Sequence, residues 1–179
     1  MHKDFDSVMI SAEQIAARIN ELARELDRDY ADKNPLFVCI LKGSMFFFSD
    51  LLKALTIPAE IDFMSVSSYG AGDKSSGKIN MQKDLTEPIE GRHVVIVEDI
   101  VDSGNTLAHL RDLLKTRNPA SLRICTLLDK PDRRVSDVVV NYCGFVIPDE
   151  FIVGYGLDYA ERYRLEKDIY VLKCSVYEK

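Results

Sequence analysis

Val94 to Val97 form an unbroken apolar run that ends abruptly on Glu98, and an amphipathic helical pattern begins near Asn105 or Thr106. A strand that is apolar on both sides has to be covered on both faces. A chain that alternates such runs with amphipathic helices therefore builds a mostly parallel sheet flanked by helices, the α/β class. The alternation recurs here. "LFVCIL" is a second continuous apolar run, followed after "KGS" by "MFFFSDLLKAL", whose length and closing Pro58 suit a helix and its exit. "EIDFMSVSSY" alternates as a strand does, and "SLRICTLL" and "DIYVLKC" also have strand character. Upstream, Ser11 and Gln14 read as a capping box, opening a helix whose one face carries Ile15, Ile19, Leu22 and Leu26.

A chain of 179 residues fits one domain, and a domain of this size buries roughly 70% of the surface its unfolded chain exposes. Asp plus Glu number 29 against 23 Lys plus Arg, and the net charge of -6 lacks the basic stripe of a nucleic-acid surface. Small-molecule partners fit better. The start, "MHKDFDSVMI", has no leader pattern, and the most apolar tract, "PLFVCILKGSMFFF", is broken by Lys42 well short of a membrane span. The expectation is a cytoplasmic protein with neither nucleic-acid nor membrane partners. Cys39, Cys125, Cys143 and Cys174 are scattered without a C-x-x-C and are expected to be buried structural thiols. His2, His93 and His109 have no Cys or Ser nucleophile at motif spacing.

The chemistry concentrates in "VVIVEDIVDSGNTL", Val94 to Leu107. Ligands of open parallel sheets bind at the carboxyl ends of strands. Gly104 permits close backbone approach, Ser103 and Thr106 bring hydroxyls, and the following helix opens with unpaired amides, which together make an anion cradle. Neither a Walker A loop nor a dinucleotide fingerprint is present. A terminal phosphate fits, yet Glu98, Asp99 and Asp102 stand beside it. A carboxylate facing a phosphate at about 5 Å costs on the order of 3 kcal/mol at an effective dielectric near 20. The acids must serve another part of the ligand. Vicinal hydroxyls of a ribose joined to that phosphate, or a hydrated magnesium, account for them. The plainer alternative is an acidic loop that caps a helix, with Asp102 near the helix dipole.

This stretch resembles the phosphoribosyl pyrophosphate signature of type I phosphoribosyltransferases, and the chain resembles the hypoxanthine-guanine subfamily from about residue 35 to 165. The resemblance implies a single domain over residues 1–179, with a central mostly parallel sheet, a small hood from the N- and C-terminal parts, and a mobile lid at about 68–83. It also assigns roles. "LKGS" resembles the pyrophosphate loop, with Lys42 and Gly43 at a characteristically cis peptide; this chain has Ser44 where many relatives have a second glycine. "SSYG" resembles the start of the lid, with Ser68 and Tyr69 closing over the pyrophosphate and Gly70, Gly72 and Gly77 permitting the swing. Glu98, Asp99, Asp102, Ser103, Gly104, Asn105 and Thr106 would hold the ribose phosphate, Asn105 standing where some members have Lys.

"LLDKP" places Lys130 where the family donates to the 6-oxygen of a purine; an ammonium has donors only and so selects a 6-oxo base. In "IPDEFIVGYGLDYAERYR", Phe151 would stack on the purine and the Ile152 backbone would meet its pyrimidine edge. Asp158 would line the purine site and take a magnesium bound to pyrophosphate, joining Glu98 and Asp99 as metal ligands, and Arg164 would reach the pyrophosphate. The reaction implied is purine salvage: hypoxanthine, with guanine, plus phosphoribosyl pyrophosphate gives IMP or GMP, with Mg2+ as cofactor and Asp102 as the catalytic base. Two alternatives stand beside it: a transferase for xanthine or another base, and a regulator that only senses phosphoribosyl pyrophosphate. Relatives form dimers or tetramers, so a homo-oligomer is expected.

Overall fold

The computed structural model describes residues 2–68 and 79–178. The chain runs β1 (Phe5–Ile10), α1 (Ala12–Asp29), β2 (Leu36–Leu41), α2 (Met45–Ala54), β3 (Glu60–Ser68), β4 (Ile79–Lys83), β5 (His93–Val101), α3 (Asn105–Lys115), β6 (Ser121–Asp129), β7 (Tyr142–Val146), β8 (Ile152–Val153), β9 (Ile169–Leu172) and α4 (Cys174–Tyr177). Six strands form one sheet in the order β4-β3-β2-β5-β6-β7, parallel except for β4. A second, three-stranded antiparallel sheet, β1-β9-β8, joins the two ends of the chain.

The apolar runs do what both-sided burial requires. On β2 and β5, Phe37, Cys39, Val95 and Val97 face α1 and α2, packing with Ile15, Leu22, Phe47 and Leu51. Leu36, Val38, Val94 and Ile96 face the other way, onto Leu107, Leu110 and Leu114 of α3. Each such side chain, fully buried, contributes about 1.5–3 kcal/mol relative to exposure. The capping box forms as the sequence spelled it: the Gln14 side-chain oxygen accepts from the Ser11 amide at 2.8 Å, and the Ser11 hydroxyl accepts from the Gln14 amide.

Two expectations and one alternative need correction. The change to acid at Glu98 marks the end of the apolar run but not of the strand, because β6 runs alongside as far as Asp129 and carries β5 on to Val101. Glu98 and Asp99 therefore sit on a paired strand, not in a loop. Cys39 and Cys125 are buried, but Cys143 is half-buried and Cys174 is exposed at the start of a C-terminal turn. Nor does Asp102 cap α3; the N-cap is Gly104 at φ 82°, with no side-chain capping bond. The strands that sequence reading passed over, β1, β4, β7 and β8, are short, and β1 owes its pairing to β9 at the other end of the chain.

Candidate active site

The carboxyl ends of β2, β5 and β6 converge with the segment around Phe151 to Arg164. The Leu41–Lys42 peptide is cis, and the loop it opens is tied back by Ser44, whose hydroxyl donates to the Ile40 carbonyl at 2.6 Å. That bond gives the serine a role a glycine lacks. Gly43 lets the Asp99 carboxylate sit where it does: a Cβ built there would fall 1.7 Å from Oδ2 of Asp99 and push it aside. The Gly43 carbonyl in turn packs against Gly156, so the Lys42 loop, the Asp99 strand and the Phe151–Arg164 segment touch at one point.

Glu98 and Asp99 are an unsettled pair. Burial pushes the Glu98 carboxyl well above its ordinary value, and the neighbouring Asp99 charge raises it further. Asp99 is also raised by burial, against hydrogen bonds and the Arg164 guanidinium that favour its charged form. Their hydrogen bonds are local: Glu98 accepts from the Asp99 amide at 3.1 Å and Asp99 from the Ile100 amide at 2.7 Å. Half-buried carboxylates with so little compensation are ready for hydroxyl donors or a cation.

Next to them, Glu98, Asp99, Asp102, Ser103, Gly104 and Thr106 line a cleft of about 200 Å³ at the amino end of α3. The loop is braced from outside. Amides of Val135 and Ser136 donate to the Ser103 carbonyl, and the Ser136 hydroxyl holds the Asn105 side chain. Arg134 pairs with Asp129 and donates to the Asp102 carbonyl at 3.2 Å, and its side chain fills the space a Cβ on Gly104 would need.

A larger cavity of about 520 Å³ shares Asp102 and Ile100 with that cleft. Lys130, Phe151, Ile152 and Asp158 all line it. The Lys130 ammonium is almost fully buried, donating to the Glu150 carbonyl at 2.6 Å and lying 3.8 Å from Asp149. Phe151 stacks on Tyr177 with ring centroids 4.6 Å apart and meets Tyr159 edge-on. The Asp102 carboxylate lies 2.9 Å from Nε of Arg133, off the hydrogen-bond direction, so Oδ1 has a charge beside it but no directed donor.

Asp158 is bound to its own segment: it pairs with Arg164 at 2.8 Å and accepts from the Glu161 amide at 2.8 Å. Among the described residues no group of three or more His, Cys, Asp or Glu is assembled to hold a metal, so Asp158, Glu98 and Asp99 form no ready-made cage. Lys42 and Arg164 approach from opposite sides and are bridged by Glu161. Ser68 closes β3; Tyr69, Gly70, Gly72 and Gly77, with most of the lid at about 68–83, lie outside the described residues. Sequence reasoning missed Arg133, Arg134, Glu161 and Tyr177. The paired arginines after "DKPD" in an acidic chain were a readable signal, while Glu161 and Tyr177 had none.

A family model for the phosphoribosyl transferase domain matches residues 9–160, and the chain belongs to that family. Within it the likeness is to the enzymes of hypoxanthine and guanine. The chain is 47% identical to a hypoxanthine-guanine phosphoribosyltransferase of Streptococcus thermophilus, over 100% of this chain and 99% of that protein. The crystal structure of a hypoxanthine phosphoribosyltransferase from Staphylococcus aureus matches with a TM-score of 0.96 at 47% identity, covering 100% of this chain and 97% of that one. A bifunctional TilS/HprT protein of Listeria monocytogenes is 50% identical over the full 179 residues, which span 28% of its length. Among the described residues no helix is long and apolar enough to cross a membrane.

Proposed function

We propose that the chain transfers the 5-phosphoribosyl group of phosphoribosyl pyrophosphate to N9 of a 6-oxopurine, hypoxanthine first and guanine beside it, giving IMP or GMP and pyrophosphate. The observation that carries this reading is the junction at Asp102: a cavity with a buried ammonium and an aromatic wall meets an anion cleft at that one carboxylate. Purine fits the first, ribose phosphate the second, and the bond to be made lies between.

The chain's own groups divide the work. First-turn amides of α3, Ser103 and Thr106 hold the 5-phosphate; of those amides that of Asn105 makes a long bond, 3.4 Å, to the Ser103 hydroxyl. Glu98 and Asp99 accept from the vicinal ribose hydroxyls, which gives partners to two half-buried carboxylates. Lys130 donates to O6, and Phe151 covers one face of the ring. The N9–C1 bond forms as the C1–oxygen bond to pyrophosphate breaks, its electron pair leaving with the pyrophosphate. The alkylated purine carries a proton at N7 that must go, and Asp102 takes it.

Magnesium is proposed as the cofactor, and the donor set suits it. Mg2+ binds through one or two carboxylates plus substrate phosphates rather than a protein cage, and Glu98, Asp99 and Asp158 are carboxylates with oxygen ligands to offer. When bound it offsets charge on the leaving group. The working unit is proposed to be a homo-oligomer, dimer or tetramer.

The test is direct: mix the chain with magnesium, phosphoribosyl pyrophosphate and, in turn, hypoxanthine, guanine, xanthine and adenine, and assay the monophosphate. Product with hypoxanthine and guanine is expected. Product with none of the four overturns the reading, and product with adenine alone removes Lys130 from the base site.

A further inference from the structure

Two cations assigned to the leaving group, Lys42 and Arg164, are joined by a single carboxylate. Glu161 places Oε1 3.2 Å from Nζ of Lys42 and Oε2 3.3 Å from Nη2 of Arg164. Asp158 completes the cluster, pairing with Arg164 at 2.8 Å and accepting from the Glu161 amide. Two positive charges thus face two negative ones, in the place where a ligand bearing several negative charges is to bind.

Glu161 is held there by its neighbours rather than by local preference. Ala160 and Glu161 have φ of 51° and 61°, consecutive left-handed residues without a glycine, a conformation L-residues avoid. The bond from its amide to Asp158 and the backbone bridge between Tyr159 and Arg162 close the turn that aims its carboxylate at the two cations. The two acids differ in exposure. The Glu161 side chain is 67% exposed, that of Asp158 27%. An incoming diphosphate can send Glu161 into water at little cost, whereas Asp158 is enclosed against Arg164.

We propose that Glu161 is an intramolecular stand-in for the leaving group, a carboxylate that competes with the diphosphate of the substrate and of the product for Lys42 and Arg164. The inference rests on the phosphoribosyl transfer reading and adds to it a residue that sets how tightly that end of the ligand is held. Glu161 weakens entry of phosphoribosyl pyrophosphate and, by the same competition, speeds departure of pyrophosphate.

The alternative is that Glu161 merely orients the cations, and the two roles predict opposite signs. Removing a competitor tightens binding; removing a brace loosens it. Magnesium pyrophosphate binding is measured by calorimetry on wild type, Glu161→Gln, and Glu161→Asp, whose shorter side chain cannot span both cations. Two exposed ion pairs, each worth about a 1.5- to 5-fold factor, put the expected gain at roughly three- to tenfold tighter for Gln, with Asp between Gln and wild type. The gain should shrink at high salt, where exposed pairs are screened. Matched thermal melts confirm that the variants fold, and the KM for phosphoribosyl pyrophosphate should fall with the dissociation constant. Equal or weaker binding by Glu161→Gln, in a protein that makes nucleotide, overturns this inference alone. A wild type that binds no magnesium pyrophosphate and makes no nucleotide overturns both readings.

Discussion

The two ends of the six-stranded sheet carry cavities of the same size, about 520 Å³ each, and opposite chemistry. At the amino end, Asp29, Tyr30, His93, Ser121 and Tyr142 satisfy one another. The Tyr142 hydroxyl donates to Asp29 at 2.9 Å, the His93 ring bonds Ser121 at 2.8 Å, and Asn141 accepts from the Ile124 amide at 2.9 Å. At the carboxyl end, Glu98 and Asp99 are half-buried beside each other, and Asp102 has a cation nearby without a directed bond. Volume does not mark the site. What marks it is two adjacent carboxylates whose hydrogen bonds come only from neighbouring amides, a cost that folding tolerates where a ligand supplies the missing partners.

The sharpest way to break this comparison is Asp102→Asn. The structure removes its capping role, so Asn leaves α3 as it is, loses part of one half-exposed ion pair to Arg133, and can no longer accept a proton. Turnover should fall by ~10²- to 10⁴-fold with thermal stability nearly unchanged. Near-normal turnover would discard the base assignment and leave Asp102 as a partner of Arg133.

Lys130→Ala should cost less. An unmet 6-oxygen in a closed pocket loses about 1–3 kcal/mol, or roughly ten- to hundred-fold in kcat/KM for 6-oxopurines. Phosphoribosyl pyrophosphate should bind as before, because Lys130 lines the larger cavity and not the anion cleft. Calorimetry showing that ligand weakened as much as turnover would move Lys130 to the phosphate site.

Asp158→Asn sharpens the metal question. If Asp158 is a magnesium ligand, half-activation should need several-fold more magnesium, and added metal should recover part of the rate, because a neutral amide is a poorer ligand for a hard dication. A magnesium titration that superimposes on wild type would leave Asp158 only as the partner of Arg164.

Tyr142→Phe probes the amino end and should have the smallest effect: about 1 kcal/mol of stability at neutral pH, the net worth of one hydrogen bond, and no change in turnover. The Tyr142 hydroxyl is the main reason that Asp29 titrates below its ordinary value. A carboxyl depressed in the fold stabilises above its unfolded pKa, about 3.9, and loses that contribution as pH falls through the folded value. The gap between wild type and variant in denaturant unfolding should therefore be full at pH 7 and narrow below about pH 4. A constant gap across that window would detach Asp29 from Tyr142.

The strands β2, β5 and β6, the helices α1 to α3 and the phosphate loop were legible because each is written locally, in apolar runs, a capping box, and a glycine before a helix. The residues from Lys42 to Arg164 with assigned roles were found through motifs that are likewise contiguous. The first strand and the end of β5 have the opposite property. β1 is a strand because β9, more than 150 residues away, pairs with it, and β5 outlasts its apolar run because β6 does.

By itself the sequence determined the alternation of strand and helix, the acid-and-anion character of the stretch from Glu98 to Thr106, and the presence of a lysine and an aromatic for a base. Tertiary structure alone decided that Asp102 joins two cavities, that the Asp99 carboxylate lies against Gly43, and that Glu161 reaches both Lys42 and Arg164. The reason is range. Backbone preference is set by a few neighbours along the chain, whereas the charge state and partners of a side chain are set by whatever distant segment buries it, as Glu98 shows where burial outweighs every local hydrogen bond.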